Sequence, residues 1–208
     1  MPSALRVFFG AIFRPGPAFA ALSSDPKRLR RGFRMILFAG FLYAASAALL
    51  GTGGALLTAP AVVPFPAENY YVFQMIFALP LFAVLWLASS TLGQILAAIL
   101  GGRGAWKTAA AGLGFAFAMP SLMIWIPQTV FGIFLHAGMP QAEFMDLFAE
   151  PGWLQTGGWI YHGLALAWMI RLAAAALRAG RTLSKPKALC CGIAAGAAFA
   201  AGFLAFIR

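Results

Sequence analysis

Charged residues fall in short clusters separated by long apolar runs. Five stretches hold no Asp, Glu, Lys or Arg: residues 35–67, 69–102, 108–142, 151–170 and 188–207. Each is about 20 residues or longer, the length a helix needs to cross a hydrocarbon core roughly 30 Å thick. None alternates apolar and polar positions, as the strands of a membrane barrel do. Backbone groups inside a bilayer must be satisfied within their own segment, so the runs predict helices. The expected fold is all-α: a polytopic integral membrane protein with five transmembrane helices in one domain. The spans are predicted over about residues 35–57, 70–100, 107–135, 153–177 and 188–207.

Residues 1–34 precede the first span. Leu5, Val7, Phe8, Phe9, Ile12 and Phe13, flanked by Arg6 and Arg14, predict a short helix lying in the membrane interface. Pro15 and Pro17 stop it, and Pro17 suits the first position of a second short helix ending at Ser23. A basic collar follows at Asp25–Arg34 (DPKRLRRGFR). Its Lys27, Arg28, Arg30, Arg31 and Arg34 are expected to set topology and touch anionic lipid, or to recruit an acidic partner. The charged region before the first apolar run is too long for a cleavable signal peptide.

Within the spans, small, aromatic and polar residues carry further expectations. Ala44, Ala45, Ala47, Ala48, Gly51, Gly53 and Gly54 make one end of span one small-faced, which permits close helix approach. A Pro-rich link (Pro60, Pro64, Pro66) leads to span two, where Tyr70 and Tyr71 are expected as interfacial aromatics. Pro80 is expected to kink that span, and Gln74 and Gln94 to bond neighbouring helices. In span three, Pro120 and Pro127 free backbone carbonyls, with Ser121 placed to re-satisfy one. A kinked helix and a helix followed by a re-entrant piece both fit. Phe144, Leu147 and Phe148 predict a short amphipathic helix between Pro140 and Pro151. Gly192-xxx-Gly196 and Ala198-xxx-Gly202 in span five predict tight packing within the chain, with a homodimer contact as the alternative.

Composition agrees: 62% of residues are hydrophobic and 10% charged, whereas a soluble domain averages about 25% charged. The net charge of +10 does not point to nucleic acid, because the basic residues flank the apolar spans. Seven Lys or Arg precede span one, two lie between spans two and three, and four between spans four and five. The two opposite links hold none, and they contain four of the five acidic residues. By the positive-inside rule the N-terminus is cytoplasmic and the C-terminus outside, in an inner or plasma membrane.

Enzyme chemistry finds no support. No carboxylate lies within a span. There are two His and no HExxH, and no nucleophile elbow accompanies His136. Cys190 and Cys191 are adjacent rather than spaced as CxxC, and are expected as buried small hydrophobes. No catalytic residue, metal or cofactor is expected. Arg171 is the one cation inside a span, where insertion costs about 2.5–3.5 kcal/mol. It shares a helix face with Arg178, about 10 Å away along the axis, so it can snorkel toward headgroups. A functional Arg171 would instead need Gln94, a carbonyl freed near Pro120 or Pro127, or an anionic lipid or substrate. His162 lies nine residues earlier, on the opposite helix face.

Three stretches carry a family likeness: FRPGPAFAAL at Phe13–Leu22, GGRGAWKTAAAGLGFAFAMPSLMIWIP at Gly101–Pro127, and LRAGRTLSKPKAL at Leu177–Leu189. In their order and spacing they resemble the Yip family, the Ypt/Rab-interacting membrane proteins, in a prokaryotic-type form. The resemblance implies five transmembrane helices, a cytoplasmic N-terminus and a non-enzymatic role; eukaryotic members work in vesicle traffic with small GTPases. The function expected is therefore a membrane scaffold or organising protein that binds membrane proteins or lipids. Its contacts would be Lys27, Arg28, Arg30, Arg31, Arg34, Arg103 and Lys107. The alternative is a transporter or channel component for a small or anionic solute, built on Arg171, His162, Gln94, Pro120 and Pro127.

Overall fold

The computed structural model describes residues 4–57 and 66–207. Two short helices, α1 (Ala4–Phe13) and α2 (Pro15–Ser23), precede the first long one, α3 (Arg28–Thr52). A single 3₁₀ turn at Ala67–Asn69 leads into α4 (Tyr70–Ile99). Then follow α5 (Trp106–His136), the short α6 (Gln141–Ala149), α7 (Trp153–Arg181) and α8 (Lys185–Phe206). Five of these, α3, α4, α5, α7 and α8, are long and apolar enough to cross a membrane. The fold is all-α and polytopic, as the apolar runs require. Pro60 and Pro64 lie outside the described residues.

The bundle is built around the first half of α5. Every residue from Ala109 to Ser121 is buried. The stretch is apolar on nearly all sides, with Ala and Gly interleaved by Leu113, Phe115, Phe117 and Met119, and a helix apolar all round belongs in the middle of a bundle. Helices α3, α4 and α7 surround it, and α8 fills the space between α4 and α7. Without a hydrophobic drive between helices in lipid, close van der Waals packing has to hold them. Glycine makes it possible where the crossings are tightest. A Cβ on Gly32 of α3 would run into the Ala111 backbone, and one on Gly114 into the Gly32 backbone, so α3 and α5 cross with their main chains in contact. On the other side of α5, a Cβ on Gly180 of α7 would come within 2.9 Å of the Ala109 nitrogen.

Hydrogen bonds to main-chain carbonyls tie the same helices. The Tyr43 hydroxyl of α3 donates to the Ser121 carbonyl at 3.0 Å. Trp86 of α4 donates to Ala110 at 2.9 Å, and Trp125 of α5 to Leu42 of α3 at 2.9 Å. Span five packs within the chain: a Cβ on Gly192 would meet the Ala174 nitrogen of α7 at 2.7 Å, and Gly196 faces Ile170. Gly202 turns to Leu85 of α4.

Several sequence expectations are corrected. The collar is not a separate segment, because α3 begins at Arg28 and residues 28–34 are its first two turns. Helices α1 and α2 are not merely interfacial: Val7, Ala11, Phe19 and Leu22 are buried in the main core, with α2 packed on α7 and α5. Leu5, Phe9 and Phe13 form the outward face. Tyr70 and Tyr71 point inward and are buried. The Tyr70 hydroxyl donates to the Phe206 carbonyl at 2.6 Å, closing the last turn of α8. Span three is one continuous helix through both prolines, with no re-entrant piece.

Candidate functional site

The predicted intramembrane residues do not form one site. Arg171 lies on the outward face of α7 and is exposed. It makes no hydrogen bond or ion pair with any described residue, so Gln94 and the carbonyls near the prolines are not its partners. Gln94 and Gln74 bond no neighbouring helix either among the described residues. The Gln94 Oε1 and both amide atoms of Gln74 are buried with no partner among the described residues. Pro120 is buried in the centre of α5. His162 and Pro127 do meet, across a cavity that Arg171, Gln94 and Pro120 do not line.

Pro127 has no N–H to give to the Met123 carbonyl four residues earlier. The hydroxyl of Tyr161 on α7 takes that place, at 2.7 Å. Ser121 Oγ bonds Phe117 at 2.8 Å, rather than the Ala116 carbonyl that Pro120 frees.

The cavity, of about 860 Å³, lies at the end of the bundle opposite the basic turns. The second half of α5, the first half of α7 and the last turns of α8 form most of its walls, with Tyr43 and Leu50 of α3 and Tyr71 of α4. Tyr43, Phe131, Leu166 and Phe203 make it apolar, and Phe144 and Met145 of α6 cover it. Phe144 stacks on Phe131 with ring centres 4.6 Å apart. Helix α6 is anchored in turn by Gln141, whose amide exchanges two 2.8 Å hydrogen bonds with the Leu56 main chain. Besides the hydroxyl-bearing Tyr43, Tyr71 and Ser121, an amide and an imidazole line the cavity. Gln128 lines it and has its Nε2 buried with no partner among the described residues. His162 lines it with Nδ1 engaged to the Gly158 carbonyl at 2.7 Å. A carbonyl only accepts, so Nδ1 carries the proton and Nε2 is the acceptor of the neutral ring.

At the basic end the two Gly-rich or basic turns are locked together. Arg181 is buried, and its guanidinium donates to the Gly104 carbonyl and to Gly102 at 2.9 Å. Thr182 Oγ1 donates to Arg103 at 3.1 Å and Lys187 Nζ to Leu100 at 2.8 Å. A Cβ on Gly104, at a φ of +143°, would strike the Gly180 carbonyl. Asp25, also buried, accepts from the Lys27 N–H at 2.8 Å and pairs with Arg31 at 2.9 Å. Arg28 donates to the Asp25 carbonyl at 3.2 Å. Arg28 and Arg31 therefore brace the α2–α3 turn. Lys27, Arg30, Arg34, Arg103 and Lys107 are exposed. A groove of about 350 Å³ runs along Lys27, Arg30, Arg31 and Arg34 beside Ala4. Cys190 is exposed, against expectation, and Cys191 is buried. Among the described residues no three His, Cys, Asp or Glu gather as a metal site.

Sequence reasoning missed Tyr161, Gln128, Gln141 and Arg181. Pro127 was a signal that some donor is needed, but not of which one. These features define an all-α membrane protein with five spanning helices, one lateral apolar cavity and a basic end. Compared with protein-family models, curated proteins and solved structures, the chain matches none of them.

Proposed function

We propose that this protein is a non-enzymatic integral membrane scaffold that binds anionic lipid, and membrane proteins bearing acidic surfaces, at its basic end. Supporting this is one observation above the rest: Lys27, Arg30, Arg34, Arg103 and Lys107 are exposed on a rigid support. The contact of Gly32 with Ala111 and Gly114 sets the start of α3 level with the start of α5, so the five cations share that end. Each basic residue near an anionic surface adds about 1 kcal/mol of attraction. On this reading the basic end is cytoplasmic, by the positive-inside rule, and the membrane is an inner or plasma membrane. The Yip resemblance belongs to the same proposal.

The transport alternative keeps Pro127 and His162, which share a cavity, but not Arg171, which does not line it. Arg171 stands outside the bundle, and the basic half of the interior is packed at main-chain contact. Removing residues 1–34 is no test, since it would strip Val7, Ala11, Phe19 and Leu22 from the core. The test is a Lys27→Gln, Arg30→Gln, Arg34→Gln triple variant, purified in native nanodiscs beside the wild type. Mass spectrometry of what stays bound should show loss of anionic lipid or of a protein partner, with insertion unchanged. An identical bound set in both would end the proposal.

A further inference from the structure

We infer that the cavity between α5, α7 and α8 is a binding site for one acyl lipid of the bilayer, held by its ester carbonyl and a headgroup donor. The site is separate from the basic surface and lies at the other end of the bundle.

Access decides the ligand class. Residues of all five membrane-spanning helices line the cavity, most of them from α5, α7 and α8, and α6 covers it on its outer side. Its rim includes Trp159 and Leu204, which are exposed on the lipid-facing surface at 75% and 58%. A molecule therefore enters sideways from hydrocarbon. The first half of α7 leaves room for it, since a Cβ on Gly163, which lines the cavity, would meet no atom within 4 Å. At about 860 Å³ the space is near the upper end of ordinary ligand sites, roughly 300–1,000 Å³. An apolar solute would satisfy the walls but not the polar groups. Gln128 presents an amide whose Nε2 has no partner, and such a buried donor is costly until it finds an acceptor. An ester carbonyl supplies one. His162 offers Nε2 as an acceptor, which suits a headgroup hydroxyl or ammonium. A small anion fits poorly, because Arg171, the one cation within the span, does not line the cavity.

The experiment uses the full chain in nanodiscs of phosphatidylethanolamine and phosphatidylglycerol, doped with phosphatidylethanolamine carrying a diazirine in one acyl chain. After irradiation, cross-links are mapped by peptide, and native mass spectrometry counts the lipids that survive a delipidating detergent. Expected are one retained lipid per chain and cross-links concentrated at residues 159–166 and 200–207. Gly163→Leu and Ala200→Phe fill the cavity and should each lower retention about tenfold, equivalent to 1.4 kcal/mol. Gln128→Leu should lower it about fivefold, by loss of one hydrogen bond. The Lys27, Arg30, Arg34 variant should leave it unchanged, which keeps the two sites distinguishable. Thermal melting reports whether each variant folds; Gly163→Leu has open space and serves if Ala200→Phe does not. Even cross-linking over all lipid-facing residues, or full retention in a folded Gly163→Leu protein, overturns the inference. So does a co-purifying protein helix cross-linked in place of lipid.

Discussion

The phenol of Tyr161 donates a hydrogen bond to the main-chain carbonyl of Met123, 2.7 Å away, and this is the carbonyl that Pro127 deprives of its helical N–H. A break in α5 is thus repaired from α7. Interhelical hydrogen bonds in membranes contribute on average about 0.6 kcal/mol, and at most about 1.7. Tyr161→Phe should cost roughly 1 kcal/mol of thermal or denaturant stability in detergent. Pro127→Ala restores the helical N–H, so Tyr161→Phe on that background should cost less. A double-mutant cycle measures the difference; equal costs on both backgrounds would show that the carbonyl is satisfied otherwise.

Arg181 holds the two basic turns together through the carbonyls of Gly102 and Gly104. Hydrogen bonds to a charged group contribute about 1.5–3 kcal/mol each. Arg181→Met should lower stability by roughly 3 kcal/mol, seen as a fall in Tm and in the folded yield from membranes. Arg181→Lys should recover only part of this, because an ammonium lacks the planar fork that reaches two carbonyls at once. Arg178→Gln, at an exposed position on the same helix, should change little. Similar losses for Arg178 and Arg181 would mean that charge count, not the clamp, matters.

Main-chain contact between α3 and α5 makes a third expectation. Gly114→Ala has to push α3 away from α5, because the new methyl would overlap the Gly32 backbone. Overpacking of this kind costs about 1–3 kcal/mol. Gly157→Ala, on an open face with no atom near the new Cβ, should be neutral or slightly stabilising, since alanine is the better helix former. Circular dichroism melts of the two variants in one detergent compare them directly. A tolerated Gly114→Ala would mean that the crossing is looser than drawn.

How far the sequence disclosed this arrangement depended on the kind of information each residue carries. The five helices were legible, because absence of charge over the length of a span needs no neighbour to interpret it; the burial of Ala109–Ser121 was not read from the sequence. Apolar faces that need a neighbour were misread. Val7, Ala11, Phe19 and Leu22 form such a face, and amphipathicity does not say whether membrane interface or bundle covers it. Tyr70 and Tyr71 sit at a span end, as interfacial aromatics do, yet the side of the helix they occupy turns them inward. Arg181 counted as one more topology charge, although its two terminal nitrogens donate to two carbonyls distant in sequence. Of the cavity, only Pro127 and His162 were singled out in the sequence; that they would meet with Gln128 and Phe203 was not legible, because these residues come from three helices whose tilt and rotation are set by the glycine crossings.

Arg171, the charge most conspicuous in the sequence, should prove dispensable. It is exposed on the outward face of α7 and has no partner among the described residues. Removing it leaves no buried group unpaired and lifts an insertion cost of about 2.5–3.5 kcal/mol. Arg171→Leu should therefore leave stability within about 0.5 kcal/mol of wild type or raise it, as surface substitutions do, with bound lipid unchanged. A clear loss of stability or of a bound partner would place a second protein against this face of α7.

Gln74 presents the opposite case, a polar side chain wholly inside. It is fully buried in the first turns of α4, and neither its Nε2 nor its Oε1 meets a partner among the described residues. Burying an amide without hydrogen bonds costs about 1–3 kcal/mol by mutational measures. Leucine has a similar branched shape and no such demand. Gln74→Leu should accordingly raise stability by about 1 kcal/mol or more, read as a higher Tm or denaturant midpoint. Tyr71, which lines the lateral cavity, sits one turn earlier on the same face of α4. A destabilised Gln74→Leu protein would mean that something in the membrane answers the amide. If the loss then disappeared on delipidation, that partner would be lipid.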